Sequence, residues 1–393
     1  MLSRLASSRS RGQDHTRARC AILCFLTNSI RNRDKHESTE RRERMVGEID
    51  RELLDRAFQV VADGVGDGSL DTAVLAVASR DRLIRAEASG NTSLDRLYLL
   101  ASVTKPVFCS SVMRLVEEGR ARLNDPVSRF IPEFAAGPKA AVTLWHLLTH
   151  TSGLDESAMA QAMRDGTAND AILASLNAPV MFRPGSHYSY CNASYYVMAE
   201  IIRLATGQDH ATYIGNVVLA PLGMRDTGYA PRDADRAVPV LDMLGNDPSA
   251  ARFSSFRLPA GGLWSTAADL IRFGQAFLKR GANDNGRFLA PATIKTMTSL
   301  HTGGIPKLSA NGEFPSGYGL GWEKPNPGGE AAPSIELTTP SGHGHGGATG
   351  TLLWIEPDVD LVFVFLTNRW GHSSPHARSA LNAAIAAFSA TTA

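Results

Sequence analysis

Cysteine and lysine are scarce in this chain, at 4 and 7 of 393 residues. The four cysteines, Cys20, Cys24, Cys109 and Cys191, cannot frame a chain of this length with disulfides, and no paired C-x-x-C motifs suggest zinc. Nothing demands an oxidising compartment, so a cytoplasmic location is the expectation. Long hydrophobic runs are missing as well. The longest, Cys20 to Leu26, is seven residues against the roughly 20 of a membrane helix, so no spanning segment is expected. An excess of charge is also absent, the formal net charge being +1. That value hides an asymmetry: residues 1–45 carry 11 Lys+Arg and 5 Asp+Glu, which leaves 29 and 34 for residues 46–393. A slightly acidic body argues against nucleic acid as a partner.

What is present describes a chain able to bury a large core, with 43% hydrophobic and 20% charged residues. Its length exceeds the roughly 250 to 300 residues at which a single core stops growing, so two or three lobes are expected. Met1 to Arg44 is Arg- and Ser-rich without sustained periodicity and is set aside as a disordered or targeting extension. Its Arg-rich, acid-poor start fits an organelle transit peptide. Its apolar stretch lacks the small-x-small cleavage site of a secretory signal. The folded body opens at Met45.

In the body, Leu53, Leu54, Ala57, Val60 and Val61 have helix spacing. Thr72 to Ala78 and Leu83 to Ala88 read as a hairpin, split by a Ser-Arg-Asp-Arg turn. Phe108, Val112, Leu115 and Val116 define a helix from Val103 to a stop at Gly119. Asp125-Pro126 reads as a helix start opening a helix-rich stretch to about Gly223, whereas residues 225–258 show weak periodicity. Ser265 to Arg280 is a capped helix; Tyr318, Leu320 and Trp322 alternate like a strand. Thr349 to Ile355 and Leu361 to Thr367 form a second hairpin, and Leu381, Ile385 and Phe388 mark a closing helix. The pattern predicts an α/β fold: an antiparallel sheet assembled from both ends of the body (about 45–101 and 259–393), flanked by helices, with an all-α lobe inserted (about 102–258).

Chemistry concentrates at three places. Ser102-Val-Thr-Lys105 is an S-x-x-K tetrad at a helix start, where i and i+3 share a face and the amine can reach the hydroxyl. A serine hydroxyl is a poor nucleophile until a neighbouring base takes its proton. Pro106 lacks an N–H and belongs in a first turn, which places Ser102 where free N–H groups stabilise a developing oxyanion. About 0.6 such tetrads arise by chance at this composition, so the motif needs company. Tyr190-Cys-Asn192 supplies it, with a phenol able to share the proton load. Gly344-His345-Gly346-Gly347-Ala348, opening a predicted strand, lets a substrate approach a strand edge. His146 and His150 have i, i+4 spacing but lack the H-E-x-x-H glutamate, and His343-x-His345 lacks a third ligand, so no metal is implied. No phosphate-binding glycine loop is seen. No cofactor is implied.

Ser102-x-x-Lys105, Tyr190-x-Asn192 and His345-Gly-Gly347, in that order, resemble the elements of the serine penicillin-recognising hydrolases: class C β-lactamases, D-alanyl-D-alanine carboxypeptidases and family VIII esterases. Leu147–Leu154 and Gly261–Asp269 resemble further stretches of that family. The resemblance implies a five-stranded antiparallel sheet beside an all-α lobe, with the active site between. It implies Ser102 as nucleophile, Lys105 and Tyr190 as proton carriers and an oxyanion hole of the Ser102 and Ala348 N–H groups. Asn192, His345, Gly346 and Gly347 would contact substrate. Lys105 would need a lowered pKa, from burial and a neighbouring positive field. In the β-lactamase branch the third element is Lys-Thr-Gly, whose lysine and threonine help bind a substrate carboxylate; His345 and Gly346 stand there instead. The expected partner is therefore a small ester, or else an amide such as a D-amino-acid peptide or β-lactam; a non-catalytic scaffold on the same fold is the alternative of a different class. Oligomeric state is not legible.

Overall fold

Segments from the two ends of the body pair to make the central sheet. The structure is a computed structural model that describes residues 49–241, 256–283, 286–309, 311–326, 336–371 and 374–389. The extension 1–44 and residues 242–255 lie outside the described residues.

Helix α1 (Arg51–Gly66) starts at Asp50, whose carboxylate accepts the Leu53 N–H. Strands β1 (Ala73–Ala78) and β2 (Leu83–Ser89) form the first hairpin. A 3₁₀ turn at Ala101–Val103 runs into α2 (Thr104–Glu117). The helix-rich stretch supplies α3 (Leu144–Leu148), α4 (Ser157–Asp165), α5 (Ala168–Asn177) and α6 (Ala193–Thr206). Helix α7 (Ala267–Leu278) is capped by Thr266, which accepts the Asp269 N–H. Strands β3 (His343–Gly346), β4 (Leu352–Glu356) and β5 (Leu361–Thr367) precede the closing helix α8 (Pro375–Ser389).

The sheet has the order β2-β1-β5-β4-β3, and all four pairings are antiparallel. Every residue of β1 and β5 is buried, which explains why both read as unbroken apolar runs rather than alternating ones. Strand β2 is an edge and carries Arg85 and Glu87 in its exposed half. Helix α7 meets the sheet at Gly274, where a Cβ would fall 2.4 Å from the Val362 side chain. The five-stranded antiparallel sheet with flanking helices is the α/β arrangement the sequence implies.

Three local expectations are corrected. Asp125-Pro126 opens no α-helix: residues 127–141 make three separate 3₁₀ turns, because Pro132 and Pro138 withhold the N–H groups a continuous helix needs. The alternating Tyr318–Trp322 run is no strand. It turns at Gly321, with φ 79°, since the backbone there packs so closely on Cys109 that a Cβ would lie 2.5 Å from its Sγ. The glycine-rich third motif occupies its own edge strand, β3, followed by a turn closed by Gly350 N–H to Gly347 O, so the predicted strand at Thr349 begins only at Leu352.

That turn is fastened to the chain entering Ser102. Thr349 Oγ1 donates to Leu99 O and Thr351 Oγ1 to Leu100 O, both at 2.9 Å. A Cβ on Gly347 would stand 2.4 Å from Leu100 O and 2.1 Å from Thr351 Oγ1. Gly347→Ala should therefore cost about 1–3 kcal/mol through overpacking, read as a lower urea midpoint at unchanged slope; an unshifted midpoint would show that the junction has room to spare.

Candidate active site

Ala101 holds φ 47°, a left-handed conformation that a residue with a Cβ rarely adopts. It bends the chain sharply between the buried Tyr98–Leu100 segment and the 3₁₀ turn, leaving Ser102 partly open at the start of α2. One turn on, Lys105 is fully buried. Its Nζ lies 2.9 Å from each of Ser102 Oγ, Asn192 Oδ1 and the Ala260 carbonyl. Burial pushes this amine down to about 7, while Glu156 and, more weakly, Glu323 pull it upward. The positive field expected from the sequence is not the cause; the charged groups acting on Lys105 are carboxylates. A neutral amine has two N–H donors and one lone pair. The carbonyls of Asn192 and Ala260 take the donors, and the lone pair is left for the Ser102 hydroxyl proton.

Tyr190 Oη donates to Ser102 Oγ at 2.8 Å, so the serine oxygen has an amine and a phenol as neighbours. Burial raises the Tyr190 pKa well above its ordinary value, which keeps the phenol protonated. In this arrangement Lys105 can accept a proton and Tyr190 can donate one.

A hydrogen-bond relay lies beneath Tyr190 and determines its own polarity. The Cys191 N–H donates to His150 Nδ1 at 3.0 Å, so His150 must carry its proton on Nε2. That proton faces Tyr318 Oη at 3.2 Å, and the phenol in turn donates to His345 Nε2 at 3.1 Å. His345 then gives its Nδ1–H to the Gly346 carbonyl at 2.7 Å. Both imidazoles are neutral: burial drives His150 well below its ordinary value and His345 down to about 3. His150 stacks on the Tyr190 ring with centroids 4.5 Å apart and itself sits at φ 57°. The relay thus ties the Tyr190 loop to strand β3.

The structure brings together Ser102, Lys105, Tyr190 and Asn192, and Ala348 lines the same pocket as Ser102. The Ala348 N–H has no acceptor among the described residues, as an oxyanion donor requires. His345 is placed differently from the expectation. At 1% exposure its ring faces inward to Tyr318, because β3 pairs with β4 and turns this side chain to the interior, so it acts on the site through the relay rather than by touching substrate. Gly346 and Gly347 lie at the end of β3 and in its turn. Beside Ser102 opens a cavity of about 590 Å³, mostly apolar, with Met159, Met163, Tyr196, Phe256, Leu258 and Trp370 on its walls.

Sequence reasoning missed four contributors. His150 lies in the Leu-Leu-Thr-His-Thr-Ser-Gly-Leu stretch, but its spacing from His146 speaks only to metal binding. Tyr318 sits in an alternating run whose pattern points to a strand. Glu156 and Glu323 belong to no motif quoted above. Glu156 accepts the Asn192 N–H, and Glu323 reaches the β3 edge.

The chain belongs to the β-lactamase family, whose family model, described as Beta-lactamase, matches residues 57–388. Esterase EstB of Burkholderia gladioli is 32% identical over 292 residues, covering 66% of this chain and 72% of that protein. D-alanyl-D-alanine-carboxypeptidase/endopeptidase AmpH of Escherichia coli (strain K12) is 28% identical over 228 residues, covering 54% and 58%. Among solved structures, EstCE1, titled a hydrolase with promiscuous acyltransferase activity, superposes with a TM-score of 0.71 over 86% of this chain and 99% of that one; at 21% identity the likeness is one of fold. The protein is a hydrolase of the β-lactamase fold. Among its described residues no helix is long and apolar enough to cross a membrane.

Removing the Tyr318 hydroxyl would strand a donor on His150 and an acceptor on His345 in a region with no access to water. Tyr318→Phe should lower stability by about 1–3 kcal/mol in chemical denaturation; a loss below about 0.5 kcal/mol would mean that the relay is not a stabilising chain.

Proposed function

We propose that this hydrolase is a serine esterase that cleaves esters of short acyl chains through an acyl-enzyme on Ser102. The observation that carries the reading is the convergence on Ser102 Oγ of an amine buried enough to be a base at neutral pH and a phenol kept protonated. Neutral Lys105 takes the hydroxyl proton as Oγ attacks the ester carbonyl; the backbone N–H groups of Ser102 and Ala348 take the oxyanion. Tyr190 hands its proton to the departing alkoxide and regains one from Lys105. Water then repeats the sequence on the acyl-enzyme, with Lys105 as its base.

Choice of an ester over a β-lactam or D-alanyl peptide is supported by what stands in the third motif. A carboxylate left unpaired on burial costs several kcal/mol, and the neutral, inward-facing His345 offers it no charge. The apolar pocket beside Ser102 suits an acyl chain. The relative named an esterase, at 32% identity, supports the same branch. AmpH favours the second reading, a D-amino-acid peptidase.

Two measurements test this. Ser102→Ala should reduce p-nitrophenyl butyrate hydrolysis by about 10³-fold or more while preserving the fold, and wild-type kcat/KM for that ester should exceed that for nitrocefin by at least about 10²-fold. Residual activity within tenfold of wild type rejects the nucleophile, and comparable nitrocefin turnover rejects the esterase branch. Since protonated Lys105 has no lone pair, kcat/KM should fall as the pH drops through about 7, with full activity above it. A profile flat from pH 5.5 to 9 would leave Lys105 without its role as base.

A further inference from the structure

Beyond the missing lysine and threonine, the edge of β3 carries an anion of its own. Glu323 leaves the turn that follows Gly321 and pairs its backbone with Gly344 on the open edge of β3, accepting the Gly344 N–H at 3.1 Å and donating to the Gly344 carbonyl at 2.8 Å. Its side chain lies along the last residues of the strand. One carboxylate oxygen accepts the Gly346 N–H at 3.4 Å, and the other is 3.6 Å from His345 Nδ1. These are the two positions at which the Lys-Thr-Gly members of the family help hold a substrate carboxylate. In this chain they face a carboxylate of the protein itself.

Glu323 keeps 44% of its side chain exposed, and partial desolvation raises its carboxyl to about 7, so above that pH it carries its charge. It is also close enough to act electrostatically on Lys105, Tyr188 and Tyr190. Its surroundings compensate it little. His345 is neutral, Lys105 is itself depressed by burial, and the Arg378 guanidinium contributes only the weakest of the pulls on the carboxylate. Glu156 adds a second carboxylate from the helical side, where it lines the apolar pocket with Arg164. The face of the cleft along β3 is therefore acidic where a β-lactam or peptide site is basic.

A D-alanyl peptide carries its carboxylate on the residue that leaves, so this corner of the cleft receives the leaving-group arm. Resting on the esterase reading above, we propose that Glu323 is a specificity-determining residue that reads the charge of this arm: esters whose alcohol portion is cationic, such as a quaternary or primary ammonium alcohol, are preferred, neutral ones are accepted, and those ending in a carboxylate are rejected. Like charges a few ångströms apart in a partly open cleft repel by enough to change rates tenfold or more, and an ammonium gains what a carboxylate loses.

The test uses butyrate esters of three meta-substituted phenols, 3-hydroxyphenyltrimethylammonium, 3-tert-butylphenol and 3-hydroxybenzoate, assayed on full-length protein at pH 8 and low salt. Wild-type kcat/KM should fall in that order, with the cationic ester ahead of the anionic one by at least about 30-fold, equivalent to about 2 kcal/mol of differential transition-state binding. Glu323→Gln should collapse the ratio to within about threefold, and 0.5 M salt should shrink it in wild type. A wild-type ratio within threefold, or a 30-fold ratio that survives Glu323→Gln, overturns the proposal. Calorimetric binding of the two charged phenols to Ser102→Ala protein separates this result from the fate of the esterase reading. If the neutral ester is not cleaved, that reading fails, while a cation-over-anion binding order still supports Glu323 and equal binding of the two phenols refutes it.

Discussion

A lysine amine without water is the constraint around which the site is arranged. Burying an ammonium is costly, and the protein meets the cost by letting the group lose its proton and by satisfying what remains with two carbonyl oxygens. Each partner comes from a different part of the chain: Asn192 from the start of α6, Ala260 from the segment before α7, Ser102 from the turn before α2. None of the three can shift without exposing or stranding the amine. The left-handed backbone at Ala101 and His150 is tolerated in this setting, because the packing around both leaves no relaxed alternative.

The sheet holds these parts in place by its edge. Strand β3 is held by β4 on one side and by the Glu323 backbone on the other, and its following turn is bonded to Leu99 and Leu100 just ahead of Ser102. Through His345, Tyr318 and His150 the same strand reaches the residue next to Tyr190. The serine, the phenol and the Ala348 N–H therefore sit on pieces of backbone joined by hydrogen bonds rather than on independent loops. A polarity that permits only one direction of donation makes this chain rigid, since flipping either imidazole would break bonds at both of its ends.

Relatives named as an esterase and as a carboxypeptidase share this scaffold, which is what a fold common to several chemistries looks like. In the proposed mechanism the groups around Ser102 do not distinguish a departing alcohol from a departing amine. Discrimination falls to the walls: an apolar pocket on the helical side, and on the sheet side an edge strand whose cation has become a buried, neutral imidazole and whose neighbour is Glu323.

Much of this was legible in the sequence, for identifiable reasons. Strands β1 and β5 are short runs of apolar residues bounded by turns, α2 and α8 have clear helical periodicity, and Ser102 and Lys105 are three residues apart, so their meeting follows from helix geometry alone. What required the folded chain were the relations between distant residues. Lys105 is depressed by burial and not by a nearby cation, a property of everything packed around it. His345 turns inward because β3 pairs in one register with β4, and a shift of one residue would have sent it into the cleft. Glu323 bears on the site only because Gly321 turns the chain against Cys109 and the backbone two residues on runs along β3. The sequence by itself determined the local elements and the meeting of Ser102 and Lys105 within one helical turn; the tertiary structure decided protonation and charge in the cleft, because both depend on desolvation and on neighbours that local periodicity does not encode.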